Sequence, residues 1–589
     1  MSALFQRLVA DLPERHAPGK NSFATDPKSL RSWIGHLPLA NPGATARLLI
    51  GALREMNQLR LDPAQRLDAL ELLRPPIDQI IVTLDKQILA DSFPLPPQKK
   101  QLGQLAQEFE HELALGYCAV VYDLCAPAGA VPFMRGKPAA LALTRAIQHR
   151  GAFLYQAYLL YHAPPVGAWQ NLHDLFRFAV AVNADDKPLE DPLFGGAQIS
   201  ARTAYIHALL FALSNPYRFT QKENSDIYPL TRIWATRCEL REGRAPAGAI
   251  AIRTDRDQSL GYLPEERESP SEGLWALEIS GLLRFLEGQL AMLPPGLTTT
   301  QFRLKGGPTV ATDVAFVERL MRAWESGSER GQQRLAAGHQ LDSVIGLHDL
   351  HYVLAGNQDF DTFLRKTRGV AISLHESDRA ASWAASPAGG PVRVKHLSVK
   401  VLDQSLGGYR LVWDKVDGMR VRVGELLGLA PLADDGEAQD WMIGAIRWLR
   451  IESSGALDAG VELLARRALP VGLRSFDAQN TPRSAMRGVY LETMDNDADD
   501  AAVRGSILAP HLFDRDAHEI ELTRPGDPFG WPPEAIVETL GNVNVSDNGG
   551  GYLRVDIARS SNTSAASSPP SAANDDLQPR PHDSARTRL

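Results

Sequence analysis

Residues 394–413 read VKHLSVKVLDQSLGGYRLVW, and this stretch decides the fold of the C-terminal half. Leu397, Val399 and Val401 alternate with polar residues, the period of a strand with one buried face. The alternation ends in Asp403-x-Ser405-x-x-Gly408, and Arg410–Trp413 reads as the returning strand. Asp403 and Ser405, two positions apart, present their side chains on one face at the strand end. Gly407 and Gly408 permit a sharp backbone path and close approach by a planar ligand. Taken alone, the stretch reads as a plain hairpin with an Asp/Ser turn.

Further short runs rich in Val, Ile and Leu surround it: GYRLVWDK, RVRVGELLGL, WMIGAIRWLR and DAGVELLA. Their close spacing predicts an antiparallel barrel or sandwich. On the N-terminal side, Arg330-Gly-Gln-Gln-Arg334 precedes the strand-like Gln340–Leu347. Two guanidiniums at that spacing can grip phosphates, and their flat faces can stack on purines. The plain alternative is a solvated helix end, and Arg237-Cys-Glu-Leu-Arg241 repeats the spacing elsewhere.

The order RxxxR, strand, DxSxxG, closing strands resembles the PilZ domain family of small β-barrels, many of which bind the bacterial second messenger cyclic di-GMP. The resemblance covers about 330 to 475. It implies that Arg330 and Arg334 hold phosphates and stack on guanine, while Asp403, Ser405 and Gly408 meet the nucleotide from the barrel face. Arg447-Trp448 stands where the family often carries an Arg-Trp pair. Arg334 and Asp403 are 69 positions apart, roughly twice the family's usual separation, and an insertion over about 356–392 accounts for the excess. Arg365, Arg368 and Arg379 lie nearer but have the wrong spacing.

The predicted fold class is multi-domain α+β: a large all-α N-terminal region, a PilZ-like antiparallel β-barrel with an insertion, and a second C-terminal β domain. The expected boundaries are 1–325, 326–475 and 476–558, with a disordered tail over 559–589, where Ser, Ala, Pro, Asn and Asp dominate. In the helical region, apolar residues recur at three- and four-residue intervals from Ala44 to Leu73, with Asp62-Pro63 as cap and first turn. Pro75-Pro76 is expected to stop that run before a new helix, Ile77–Leu89. Further helices are expected over Gln101–Leu115, Pro138–His162, Trp169–Val182, Arg202–Leu213, Glu272–Leu293 and Thr312–Ser326, with a hairpin near Pro246–Leu263. Leu347–Arg368 reads as helix.

The 589 residues are 44% hydrophobic and 22% charged, which excludes wholesale disorder. A net charge of −8 argues against a generally basic nucleic-acid binder. No apolar run reaches membrane-spanning length, the first fifteen residues lack the pattern of a secretory leader, and the three cysteines form no disulfide framework, so the cytoplasm is expected. His339, His348 and His351 read as ordinary histidines rather than metal ligands. Glu108, Glu110, His111 and Glu112 read as a solvated helix face, and Asp547–Tyr552 as a hairpin turn. No nucleophile–base, paired-carboxylate, P-loop or GxGxxG signature appears, so an enzyme is not expected, nor a cofactor. Two functions remain. One is a bacterial cyclic di-GMP receptor in which ligand changes how the helical domain docks on the barrel. The other is a degenerate PilZ protein acting as a nucleotide-independent scaffold, with the helical region holding an unidentified protein partner.

Overall fold

The structure is a computed structural model describing residues 3–89, 92–243, 246, 248–263, 273–325, 334–368, 394–432, 440–477, 479–491, 503–526, 535–547 and 551–558. The expected tail, Arg330 and Arg379 lie outside the described residues. The architecture is multi-domain α+β: among the described residues, eleven α-helices precede a closed antiparallel barrel and a further seven-stranded sheet.

Four helices of the N-terminal region pack around one cavity: α1 (Pro63–Ile88), α2 (Pro97–Cys125), α3 (Gly136–Leu159) and α4 (Gln221–Trp234). Asp62 caps α1 as its sequence predicts, accepting hydrogen bonds from the backbone N–H groups of Ala64 (2.9 Å) and Gln65 (3.3 Å). Pro75 and Pro76 do not stop this helix; they lie inside it. A proline in a helix interior costs about 3 kcal/mol. Here Ile77, Ile80, Ile81, Leu84 and Ile88 continue the buried stripe of Leu67, Leu70 and Leu73 into the same core. Burying each such side chain contributes roughly 1.5–3 kcal/mol, so packing prevails over the local break.

The expected helix from Glu272 also changes. Leu274–Glu278 is a strand between Glu239–Glu242 and Ile250–Arg253, with Gly261–Tyr262 beyond, and the helix begins at Ser280. Leu274, Trp275 and Leu277 are buried there. The hairpin expected near 246–263 is thus part of a four-stranded sheet, and a second hairpin pairs Thr299–Arg303 with Thr309–Asp313.

The barrel strands are β1 (Gln340–Ile345), β2 (Leu397–Ser405), β3 (Gly408–Trp413), β4 (Leu426–Pro431), β5 (Met442–Ile451) and β6 (Leu457–Ala465). They pair in the order β1-β4-β5-β6-β3-β2, and β2 closes on β1. Val399, Val401, Leu411, Trp413, Leu427, Ile446 and Val461 fill the interior. Between β1 and β2 lie two helices, α5 (Leu347–Leu354) and α6 (Phe360–Arg368). The single helical stretch expected there breaks at Gly356-Asn357, both with positive φ (71° and 59°).

Ala468–Ser475 (β7) leaves the barrel and pairs with Met486–Leu491 (β8) and Glu519–Arg524 (β10); Val503–Pro510 (β9), Ile536–Gly541 (β11), Val543–Asp547 (β12) and Tyr552–Ala558 (β13) complete that sheet. Ala468–Ser475, inside the expected barrel boundary of 475, thus pairs with the second sheet. Val344, Leu350, Ile443, Val489, Leu508 and Tyr552 share one core, so α5 is wedged between barrel and sheet. His351 on α5 is 1% exposed, and burial pulls its imidazole down to about 3. No group of three or more metal-ligating side chains occurs among the described residues.

The helical region closes one end of the barrel. The Phe93 and Tyr161 rings meet edge to face at 4.7 Å inside the barrel's apolar core. Phe93 exchanges backbone hydrogen bonds with Val421 (2.7 and 2.9 Å), and the Tyr161 carbonyl accepts one from Ile451 N–H (2.8 Å).

Candidate ligand-binding site

The bulge in β2 positions the site. Period-two alternation from Val399 and Val401 would carry Asp403 into the core. A register shift between Val401 and Asp403 breaks that phase, so Asp403 pairs with Arg410, Gln404 with Tyr409 and Ser405 with Gly408. Ser405 Oγ lies 3.4 Å from the Gly408 carbonyl oxygen, closing the turn. Gly408 is required by contact: a Cβ there would stand 2.1 Å from the Val461 carbonyl oxygen.

Arg334 reaches this place through a two-residue strand. Leu335 and Ala336 pair with Gln404 and Asp403 on the open side of β2. That pairing sets Arg334 beside Asp403, with Nη1 donating to Oδ1 at 2.5 Å. The long gap in sequence is thus bridged in space for Arg334.

A second bulge, between Ile446 and Trp448 on β5, leaves Arg447 unpaired with β6 and sets Trp448 opposite Gly460. A Cβ on Gly460 would fall 1.8 Å from Trp448 Nε1, so the indole lies across the strand where glycine leaves room. Trp448 is half-buried, which leaves part of its ring for stacking.

These residues border one cavity of about 800 Å3, within the range of small-molecule sites. Arg334, Asp403, Ser405 and Gly408 all line it. Arg410, Arg447, Trp448 and Arg450 come from the neighbouring strands, and Asn215 and Arg218 come from the helical region. Asp458, 1% exposed, accepts from Arg410 (3.1 and 2.8 Å) and from Arg450 (3.1 Å). Its bonds to Arg410 hold that guanidinium's pKa above the ordinary value. Arg447 pairs with Glu462. Arg218 is exposed and its side chain forms no hydrogen bond or ion pair among the described residues. Five guanidiniums around a cavity with one indole and three glycines suit an anionic, planar-ringed ligand.

Sequence reasoning missed Asn215, Arg218, Arg410 and Arg450. Arg410 and Arg450 carry a faint signal, since both sit on predicted strands beside the motif; Asn215 and Arg218 carry none. Arg365, weighed as an alternative, lies on α6, which packs on β10 and β11 away from this cavity. Arg237 stacks on Phe285 (4.4 Å) and Arg241 pairs with Glu239, so the repeated RxxxR has no part here.

The cluster around Glu110 is not a solvated face. Glu110 is buried and bonded to His149 Nδ1 at 2.6 Å. Burial, with Arg150 beside it, pulls His111 down to about 4. Glu112 accepts from Asn57 and Glu108 pairs with Arg54. Helical periodicity did not expose this, because α2 is packed on several sides.

A closed antiparallel barrel of this topology with a DxSxxG turn defines a PilZ domain, and this chain carries one. Residues 28–246 match the N-terminal domain of the cyclic-di-GMP receptor FimW, and residues 250–393 and 385–470 match its middle PilZ domain. Over 542 residues the chain is 25% identical to the cyclic-di-GMP receptor FimW of Pseudomonas aeruginosa, covering 85% of this chain and 86% of that protein. No solved structure matches it. No helix among the described residues is long and apolar enough to cross a membrane.

Proposed function

We propose that this chain is a cyclic di-GMP receptor, not an enzyme, and that the ligand binds in the cavity holding Arg334, Asp403, Ser405 and Gly408. The observation that carries the reading is their convergence on one arginine-rich cavity, in a chain similar to a protein named as a cyclic di-GMP receptor. Arg334, with Arg330 four positions earlier in the sequence, neutralises phosphate and stacks on guanine; Asp403 and Ser405 read guanine edges. Asn215 and Arg218 from the helical region support a ligand-dependent change in docking, because a ligand touching both units favours one arrangement by its differential affinity. Three buried free thiols accord with a reducing cytoplasm.

Calorimetric titration of the full chain with cyclic di-GMP tests the reading. Saturable binding at micromolar ligand is expected, and no heat from a folded protein overturns it. The scaffold reading keeps one observation in its favour: Arg334, Arg410, Arg447 and Arg450 are already paired with carboxylates. Recovery of the same protein partner with and without cyclic di-GMP would favour it.

A further inference from the structure

The helical region encloses a second cavity of about 560 Å3, lined by residues of α1 to α4 and by Leu193 and Phe194. None of its residues borders the barrel site. Its walls are partly aromatic: Tyr155 and Tyr228 stack at 4.0 Å between ring centroids, and Arg232 lies over Phe194 at 3.6 Å.

The polar groups divide into those that are satisfied and those that are not. Arg74 is engaged by Glu71 and Asp191. Glu110 is engaged by His149, and Lys222 by Asp226. Asp85 accepts from Gln156 Nε2 alone (3.2 and 3.1 Å), and Asp78 forms no hydrogen bond or ion pair among the described residues. Gln156 is 1% exposed, and its Oε1 has no partner. Asp78, Ile81, Val82 and Asp85 stand at i, i+3, i+4 and i+7 on α1, one face of the helix. Two carboxylates and an unpaired amide oxygen therefore meet apolar and aromatic walls with no cation bonded to them among the described residues; Arg232, Arg74 and His149 of the same cavity act on Asp78 only from a distance. Carboxylates beside aromatic faces are the chemistry that selects an organic cation.

We propose that this cavity is a second ligand site, independent of the nucleotide site, and that it takes a small organic amine with an apolar body, its ammonium group donating to Asp85 and Asp78. Burial first, then the nearby Glu110 and Asp78, push the Asp85 carboxyl up to about 7; a bound ammonium would favour its ionised form.

Calorimetry on the full chain without nucleotide tests this, with 2-phenylethylamine as probe and 2-phenylethanol and 3-phenylpropionate as neutral and anionic controls. Saturable binding of the amine is expected, with both controls weaker. Asp85→Asn should weaken amine binding at least about tenfold, as loss of a charged hydrogen bond does, and leave the cyclic di-GMP titration as in the wild-type chain, which also shows the variant is folded. No saturable amine binding by the folded wild type overturns the proposal. So does equal binding of either control, or amine binding unchanged in Asp85→Asn.

Discussion

Arg334 and Asp403 are joined by a 2.5 Å ion pair although they stand 69 positions apart in the sequence. The Arg334 side chain is 37% exposed, so the pair contributes only about 0–1 kcal/mol to stability. Arg334→Ala should therefore leave the thermal unfolding midpoint nearly unchanged. Its loss from a phosphate contact should weaken cyclic di-GMP binding by roughly ten- to a hundredfold, since a charge-assisted bond contributes about 1.5–3 kcal/mol. Calorimetry and thermal unfolding of the same preparation check both.

Arg218 lies on a 3-10 turn of the helical region, Pro216–Arg218, yet faces the barrel cavity. Arg218→Ala should weaken cyclic di-GMP binding about tenfold or more with little loss of stability, because its side chain is exposed. It should also reduce any ligand-induced change in small-angle scattering. Wild-type affinity in this variant would confine the nucleotide to the barrel.

Two glycines at the site should respond differently to alanine. At Gly408 a Cβ meets a backbone oxygen of the paired strand, which cannot move without breaking the β3–β6 pairing. At Gly460 it meets the Trp448 indole, which can rotate into the cavity. Gly408→Ala should lower stability by roughly 1–3 kcal/mol or more. Gly460→Ala should cost less stability but weaken nucleotide binding by displacing the indole. Denaturant unfolding and ligand titration of each variant separate the two effects.

Asp85 predicts a pH dependence. Its folded-state pKa, about 7, exceeds the ordinary 3.8. The folded chain therefore holds a proton that the unfolded chain releases, and the stabilisation this contributes is complete below about 4 and lost as pH rises to about 7. Relative to wild type, Asp85→Asn should gain stability across that window, by up to roughly 4 kcal/mol. Denaturant midpoints of both proteins from pH 4 to 8 check the slope; parallel curves would contradict it.

The barrel and its DxSxxG turn were legible because their signals are local. Alternation through Val399 and Val401, Gly408 at a turn, and Asp403 with Ser405 at a strand end are each written within a few residues. The helical content of the first half was legible for the same reason. Where the reading failed, a long-range contact prevailed over a local preference. Burial of Ile77, Ile80 and Ile81 carries α1 through Pro75-Pro76. Pairing with two strands turns Leu274–Glu278 into a strand. Packing of α2 against its neighbours buries Glu110.

The sequence by itself determined that a PilZ-type barrel follows a large helical region, and which turn of that barrel is the candidate for ligand contact. Only the tertiary structure decided that Arg334 stands beside Asp403, that Arg218 of the helical region joins the same cavity, and that a second cavity bearing Asp78 and Asp85 lies among α1 to α4. Strand periodicity and turn chemistry act over a few residues, whereas strand pairing and helix packing join residues whose separation along the chain carries no trace of their contact.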